Sequence, residues 1–290
     1  MRCAEYALSD DYGRVIIKSY HSILAPQRRE YREHHHTECE ISVFLEGAGS
    51  YAVHGKEYSF CAGDVFLFGS NEAHCITEVT RPMKLLNIHF EPRLLWERAD
   101  TAELLSLFAA RSNEFENRFE DREGRLRVLL LDLERELREQ QPCCTVTARY
   151  HLFVALAHII REYPCINPER AVAAPSSLTR SLRHAIDHIQ QNLESKLTLR
   201  ELADVACMTP TYFSAVFKKF NGVSPWEYIT IKRVDRAVEM LKTTDMTKLE
   251  IAEACGFSSS SNFYKAFCRI TGKAPGDFAR TAQKKNEAQP

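Results

Sequence analysis

The sequence predicts a two-domain α+β protein, with a β domain carrying appended helices first and an all-α domain second. Three observations support this prediction. Runs of β-branched and aromatic residues fill 14–92, helical periodicity replaces them after 93, and a helical internal repeat fills the chain from 178 onward. The 290 residues also suit two domains, since a domain has roughly 100–200 residues.

Strands are predicted over 14–92. The runs ISVFLE, SYAV, EYSF and DVFLF are separated by the turn sequences EGAG, HGK and CAGD. Turns roughly every eight to twelve residues are typical of a small barrel or sandwich.

Two helices are predicted to follow the strands. The second is ARYHLFVALAHIIREY, and the first carries a leucine stripe at helical spacing: Leu126, Leu129, Leu130, Leu133 and Leu137. Such a stripe either covers the β domain or forms a dimer seam, and the charged neighbours in LERELRE favour the dimer seam.

A linker is predicted over 164–177, where PCINPERAVAAPSS has three prolines and little periodicity. It separates an N-terminal domain of residues 1–163 from a C-terminal domain of residues 178–290. Charge divides at the same place: 178–290 holds 17 Lys+Arg against 12 Asp+Glu, and the rest of the chain holds 21 against 27. The basic C-terminal part is consistent with polyanion binding, although a solvated surface would give the same count.

The C-terminal domain contains two copies of one unit, in which TLRELADVACMTPTYFSAVFKKFNG aligns with TKLEIAEACGFSSSSNFYKAFCRITG. After one inserted serine, four residue pairs match at an offset of 50: Phe213/Phe263, Phe217/Phe267, Gly222/Gly272 and Pro225/Pro275. Thr198 with Glu201, and Thr247 with Glu250, predict a capping box at the start of each copy. A short helix, a tight turn and a second helix predict helix-turn-helix units at 198–222 and 247–272.

These residues resemble the DNA-binding domain of AraC/XylS-type transcriptional regulators, most clearly in VFKKFNG, KRVDRA, IAEACGFSSSSNFYKAF and APGDF. The resemblance implies double-stranded DNA and RNA polymerase as partners, and a homodimer. It places DNA contacts on the second helix of each copy: Thr211, Ser214, Ala215, Lys218 and Lys219 in the first, and Ser260, Ser261, Asn262, Tyr264, Lys265 and Arg269 in the second. Lys218, Lys219 and Arg269 are assigned to phosphates. Arginine is common in the family where Ala215 stands, so direct base readout is weaker in the first copy.

The stretch HHHTECEISVFLEGAGSYAVHGKEYSFCAGDVFLFGSNEAHCIT resembles the cupin-like sensor domain of many such regulators, a small β barrel with an effector cavity. The resemblance assigns His34, His36, Glu40 and His74 to effector contact. The H-x-H-x3-E spacing with a later histidine also suits a metal site, and hydrogen-bonded structural histidines are a third interpretation. Gly69 and Asn71 stand where metal cupins favour proline and glycine, which disfavours the metal.

The sequence therefore predicts a ligand-responsive, DNA-binding transcriptional activator that needs no cofactor and performs no catalysis. The alternative is a metal-dependent cupin enzyme, a dioxygenase or isomerase, fused to a DNA-binding domain. The chain contains neither a secretory signal pattern nor a run of eighteen apolar residues, so a cytoplasmic protein without a membrane partner is expected. Its ten cysteines form no C-x-x-C pair and are expected to be reduced and mostly structural.

Overall fold

The structure is a computed structural model, and it describes residues 2–10, 13–28, 34–95, 101, 104, 106–109, 116–163 and 177–278. The chain divides into two compact units, one mainly within 15–179 and the other mainly within 180–290. The predicted linker at 164–177 lies outside the described residues, except for Ser177, where a helix begins. Within the described part of the chain, no helix is long and apolar enough to cross a membrane.

The first unit is built on one antiparallel sheet of eight strands. These are β1 (Arg2–Ser9), β2 (Val15–Leu24), β3 (Gln27–Arg28), β4 (Cys39–Val53), β5 (Lys56–Cys61), β6 (Asp64–Phe68), β7 (His74–Phe90) and β8 (Arg118–Glu120). The strand order is β1-β2-β7-β4-β6-β8, with β3 also paired to β7 and β5 to β4. A cupin-like antiparallel β domain is thus confirmed.

The long strands β4 and β7 organise this sheet. They pair with each other from Cys39↔Phe90 to Val53↔His74, and several register shifts bend the pair. Gly49 of β4 passes so close to β7 that an added Cβ would lie 2.1 Å from the Glu78 carbonyl oxygen. Residues of β4 to β7 enclose one buried core, which is mostly aromatic.

A 3-10 helix and three α-helices complete the first unit: Pro92–Leu95, α1 (Ser106–Ala109), α2 (Arg125–Glu139) and α3 (Cys144–Glu162). Four stripe leucines of α2 are at most 2% exposed: Leu126, Leu130, Leu133 and Leu137. They are buried within the protomer, where α2 packs against α3, β1 and β2. The leucine stripe therefore covers the β domain, and its interpretation as a dimer seam is wrong.

The second unit is helical throughout its described residues. It comprises α4 (Ser177–Gln191), α5 (Leu199–Val205), α6 (Pro210–Asn221), α7 (Pro225–Thr243), α8 (Lys248–Ala254) and α9 (Ser260–Thr271). The two copies have matching lengths, with 7 residues in α5 and α8 and 12 in α6 and α9. Both predicted capping boxes are present, at Thr198/Glu201 and Thr247/Glu250. The tandem helix-turn-helix prediction is confirmed.

The anchor phenylalanines of both copies are buried: Phe213, Phe217, Phe263 and Phe267 are at most 2% exposed. Helix α7 lies between the copies and begins after Ser224, whose hydroxyl caps it by accepting the Glu227 backbone N–H. Its 19 residues span about 28 Å at ~1.5 Å per residue.

Arg233 of α7 ties this helix to the segment after α4. Its Nε donates to the Leu193 carbonyl and its Nη2 to the Ser195 carbonyl, both at 2.8 Å. Gly256 follows α8 with a φ of +79°, and its α-carbon faces the same Leu193 carbonyl. This turn therefore needs glycine for both its conformation and its lack of a side chain.

Candidate ligand site and candidate nucleic-acid interface

The candidate ligand site of the β domain is centred on Glu40, a carboxylate that is 2% exposed. Its position on β4 faces His89 on β7, and Ser42, two residues on, faces Asn87. Because side chains alternate along strands, Glu40 and Ser42 share one face with His89 and Asn87. The Ser42 hydroxyl lies within hydrogen-bonding distance of Glu40 Oε1.

The other carboxylate oxygen, Glu40 Oε2, faces three imidazoles. It lies 2.8 Å from Nε2 of His36, 3.3 Å from Nε2 of His89 and 3.4 Å from Nε2 of His74. One ligand atom each from His36, Glu40 and His89 lie within 4.8 Å of one another, and the same holds for His34, His36 and His74. The arrangement has the donor types and spacing of a metal site.

Backbone carbonyls orient two of these rings. Nδ1 of His36 lies 2.9 Å from the Glu38 carbonyl oxygen, and Nδ1 of His74 lies 2.7 Å from that of Glu72. A carbonyl oxygen only accepts, so each Nδ1 must carry the proton that it donates. Each Nε2 is thereby turned toward Glu40. The buried Nε2 atom of His74 has no hydrogen-bond partner among the described residues.

Burial and mutual charge set the protonation of the cluster. Burial alone would raise the pKa of Glu40, but the neighbouring His89, His36 and His74 outweigh it and hold that pKa well below its usual value. Burial lowers the pKa of His89 to about 4, although Glu40 opposes this. For His36, burial is outweighed by the hydrogen bond and charge of Glu40, and the pKa is raised.

The four predicted effector-binding residues lie together. His34 is exposed and exchanges two backbone hydrogen bonds with His74, of 3.2 and 3.1 Å, and their ring centroids are 4.4 Å apart. His89 was not among the predicted residues; it is 3% exposed, and its Nε2 lies 2.9 Å from the Tyr20 hydroxyl. Its only sequence signal is a histidine alternating with buried residues near the end of a strand.

Aromatic rings pack against one side of the cluster. Phe68 stacks on His74 with ring centroids 4.0 Å apart, and Phe44 stacks on Phe60 at 3.9 Å. All three phenylalanines are at most 3% exposed. The polar cluster thus borders a packed aromatic core.

In the second unit, α9 presents an exposed polar face opposite its buried phenylalanines. The predicted DNA-contacting residues on this face are all exposed: Ser260, Ser261, Asn262, Tyr264, Lys265 and Arg269. The helix begins at Ser259, whose hydroxyl accepts the Asn262 backbone N–H at 3.2 Å.

Helix α6 presents the corresponding face of the first copy. Thr211, Ala215, Lys218 and Lys219 are exposed, and Ser214 is half-buried. At the repeat offset of 50, Ala215 corresponds to Lys265 and Ser214 to Tyr264. The first copy therefore offers fewer long polar side chains at its centre than the second.

Arg269 makes a bidentate ion pair that sequence analysis did not predict. Its Nη1 and Nη2 lie 2.6 and 3.1 Å from the two carboxylate oxygens of Glu227, at the start of α7. This pair joins α9 to α7. It also engages a guanidinium that had been assigned to a DNA phosphate.

The sequence matches two known families. Residues 18–156 match the AraC-like ligand binding domain, and residues 202–281 match the helix-turn-helix domain. LumQ of Photobacterium leiognathi, a probable transcriptional regulator, is 36% identical over 31% of this chain and 36% of its own length. The transcriptional activator RhaS of Pectobacterium carotovorum is 23% identical over 89% of this chain and 90% of its own. Fatty-acid-bound ToxT from Vibrio cholerae is a solved structure 12% identical to this chain, covering 91% of it and 95% of ToxT, with a TM-score of 0.39.

A β domain that matches the AraC-like ligand binding domain thus precedes two tandem helix-turn-helix units. The chain belongs to the AraC/XylS family of transcriptional regulators. The match to LumQ spans about a third of that relative's length, whereas the match to RhaS spans most of both chains.

Proposed function

We propose that this protein is a cytoplasmic transcriptional activator that reads two adjacent major grooves through α6 and α9 and is controlled by a ligand in the β domain. This proposal rests on the two helix-turn-helix units, which have equal helix lengths and capped first helices. The second helix of each unit presents an exposed face. The ~28 Å estimated for α7 is close to the ~34 Å between successive major grooves on one face of DNA.

Binding to DNA fragments from the protein's own promoter region, followed by fluorescence anisotropy at several salt concentrations, tests this proposal. Lysines that neutralise phosphates release counterions, so log K should fall linearly as log salt rises, with a slope of about −0.9 per phosphate contact. An affinity that stays constant from 50 to 200 mM salt (roughly the range over which such proteins weaken) would refute the DNA-binding role.

Lys265 tests whether α9 reads bases. Because its exposed ammonium can donate to guanine O6 and N7, Lys265→Ala should relax preference at one base position, with a loss of about 1–3 kcal/mol there. The control is Lys218→Ala in the first copy, because Lys218 is assigned to a phosphate contact. It should weaken all sequences about equally and reduce the salt slope by about 1. Equal loss on all sequences for Lys265→Ala would instead make it a phosphate contact.

The ligand is proposed to contact His34, His36, Glu40 and His74, joined by His89. Support comes from the convergence of His36, His74 and His89 on the buried Glu40 carboxylate, and from His34 beside His36 and His74, in a domain that matches the AraC-like ligand binding domain. We infer binding without turnover, because the named relatives are regulators of transcription.

A homodimer is proposed to form through α3 instead of the leucine stripe of α2. Val146, Tyr150 and Val154 recur every four residues on α3 and are each about half exposed. Tyr150→Glu should shift the protein toward monomer in light scattering, and Tyr150→Phe should not. A dimer that persists in Tyr150→Glu would move the interface elsewhere.

We propose contact with RNA polymerase because the relative RhaS is a transcriptional activator. In vitro transcription on the bound promoter tests it. Added protein should raise transcript yield, and a fall would make the protein a repressor.

A further inference from the structure

We propose that the ion pair between Glu227 and Arg269 fixes the angle between α9 and α7, and thereby the spacing of the two DNA half-sites that one chain accepts. Arg269 is then a positioning residue of the DNA-binding domain and makes no phosphate contact. The inference rests on the proposed function, since it concerns how α6 and α9 are held for DNA. It reassigns a residue that the family resemblance assigns to a phosphate.

The geometry of the pair is directional. Nη1 and Nη2 of Arg269 donate to the two carboxylate oxygens of Glu227, at 2.6 and 3.1 Å. Two parallel hydrogen bonds between planar groups fix their relative orientation as well as their distance, which a single contact from a lysine does not do. The pair therefore restrains the orientation of α9 relative to α7.

The carboxylate of Glu227 is used differently from those of two equivalent glutamates. Helices α5, α7 and α8 all begin with the pattern Ser/Thr-x-x-Glu. In α5 and α8 the glutamate accepts the backbone N–H of its own capping threonine, which closes the capping box. In α7 the Ser224 hydroxyl accepts the Glu227 N–H, but the two carboxylate oxygens of Glu227 accept from Arg269. This third glutamate therefore makes a contact between helices instead of a cap.

The ion pair is a second attachment point between α9 and α7. The first is a buried apolar cluster, in which Phe263 and Phe267 of α9 lie with Val234 of α7. Glu227 precedes Val234 by two turns of helix, or about 10 Å at ~1.5 Å per residue. Because apolar attraction is non-directional, a directional pair about 10 Å from the cluster adds the restraint that defines the angle.

The angle matters because the predicted reading residues lie at the other end of α9. Asn262 is in the first turn of this helix and Arg269 in the last, about 10 Å apart along the axis at ~1.5 Å per residue. Releasing Arg269 allows α9 to turn about its buried phenylalanines, which shifts Asn262 relative to the reading face of α6. That shift changes the half-site spacing that suits both helices.

The first copy has a lysine at the matching position. Lys219 corresponds to Arg269 at the repeat offset of 50, and it is exposed. Helix α6 is held by the chain itself, since only residues 222–224 separate it from α7, whereas α9 follows the whole of α7 and α8. A lysine ammonium is suited to a phosphate as a point charge, and an arginine fork is suited to a carboxylate. The two copies thus use this position for different purposes.

The first test separates positioning from phosphate contact. The full-length protein is titrated, at several salt concentrations, with a DNA duplex selected by this protein from a random-sequence library. The double variant Glu227→Gln/Arg269→Gln keeps the net charge of the protein, so it should keep the wild-type salt slope, whereas Lys219→Gln should reduce the slope by about 1. A slope reduced by about 1 in the double variant would overturn the inference and make Arg269 a phosphate contact.

The second test measures half-site spacing. Affinity for the selected duplex is compared with affinity for the same duplex carrying one extra base pair between its half-sites. The two side chains are 55% and 34% exposed, so the double variant should bind the selected duplex only about three- to fivefold more weakly than the wild type. The insertion should weaken binding at least about tenfold in the wild type and by a factor at least about three times smaller in the double variant. The same factor in both proteins would overturn the role in spacing.

Single variants test whether the two residues act as one unit. Glu227→Gln and Arg269→Gln should each tolerate the insertion as well as the double variant does, because either change removes the pair. Arg269→Lys keeps the charge without the fork and should tolerate it too; wild-type spacing selectivity in Arg269→Lys would overturn the argument. Melting followed by circular dichroism is the control, since a fall of more than about 5 °C in every variant would make the pair a stabilising contact only.

The outcomes distinguish this inference from the proposed function. A wild-type protein without salt-dependent DNA binding would refute the proposed function, and the inference with it. Salt-dependent binding with the same spacing selectivity in the wild type and in all the ion-pair variants would refute the inference alone.

Discussion

Replacing Gly256 by alanine should destabilise the helical unit far more than the same change at Gly272. Both glycines follow a helix with positive φ, +79° and +70°, and a non-glycine residue there costs roughly 1–2 kcal/mol. The surroundings differ. An added Cβ at Gly272 meets nothing within 4 Å, whereas at Gly256 it would lie 2.3 Å from the Leu193 carbonyl oxygen and 2.9 Å from Arg233 Nη2.

The additional cost at Gly256 follows from what must move. A contact of 2.3 Å with a backbone oxygen forces Leu193 away, and this breaks the hydrogen bond that Arg233 Nε donates to that oxygen. A hydrogen bond from a charged group contributes about 1.5–3 kcal/mol. The expected losses are therefore about 2.5–5 kcal/mol for Gly256→Ala and about 1–2 kcal/mol for Gly272→Ala.

Urea denaturation of the full chain, followed by helical circular dichroism, measures both losses. Gly256→Ala should move the unfolding transition of the helical unit to a lower urea concentration than in the wild type. The unfolding transition of the β domain should be unchanged. Equal destabilisation by the two substitutions, within about 0.5 kcal/mol, would show that conformation alone requires glycine and that the Leu193 contact is irrelevant.

Three further predictions concern the repeat. Cys207, which takes the position of Gly256 in the first copy, has a φ of +54°, so Cys207→Gly should raise the free energy of unfolding by about 0.5–1 kcal/mol in the same assay; a loss would contradict this. Thr247→Ala removes the cap that accepts the Glu250 N–H and should cost about 1 kcal/mol, whereas Thr247→Ser should cost little; equal losses would exclude the cap as the cause. Burial raises the pKa of the Cys255 thiol to about 11, so almost none of it is thiolate at pH 8. Iodoacetamide should therefore label the exposed Cys207 first and Cys255 only on unfolding. Equal labelling rates of the two cysteines in the native protein, measured by mass spectrometry, would contradict the burial of Cys255.

Features encoded within a few residues could be predicted from the sequence. Each capping box is a contact between residues three apart, and Phe213/Phe217 and Phe263/Phe267 share a helix face at a spacing of four. The internal repeat shows the same capping and phenylalanine pattern a second time, which supports the prediction. The helix-turn-helix units were therefore predictable to within a residue or two.

Features that depend on pairing between distant segments could not be predicted. His89 joins the candidate ligand site because β7 pairs with β4 in a register that places it opposite Glu40, 49 positions earlier. The leucine stripe shows the same limit: its period identifies an apolar face on α2, but only the fold shows that β1, β2 and α3 cover it. The pairing of Arg269 with Glu227 likewise required the contact between α9 and α7.

Under the proposed function, the unequal chemistry of the two copies gives each chain a direction on DNA. Since α6 presents Ala215 where α9 presents Lys265, the two reading helices of one chain are not interchangeable. Under the proposed function, the target of one chain has a weakly specified half and a strongly specified half in a fixed order. Inverting that site relative to the promoter would reverse the order in which α6 and α9 lie along the DNA. The order of the two copies therefore determines the orientation of the bound chain as well as its sequence preference.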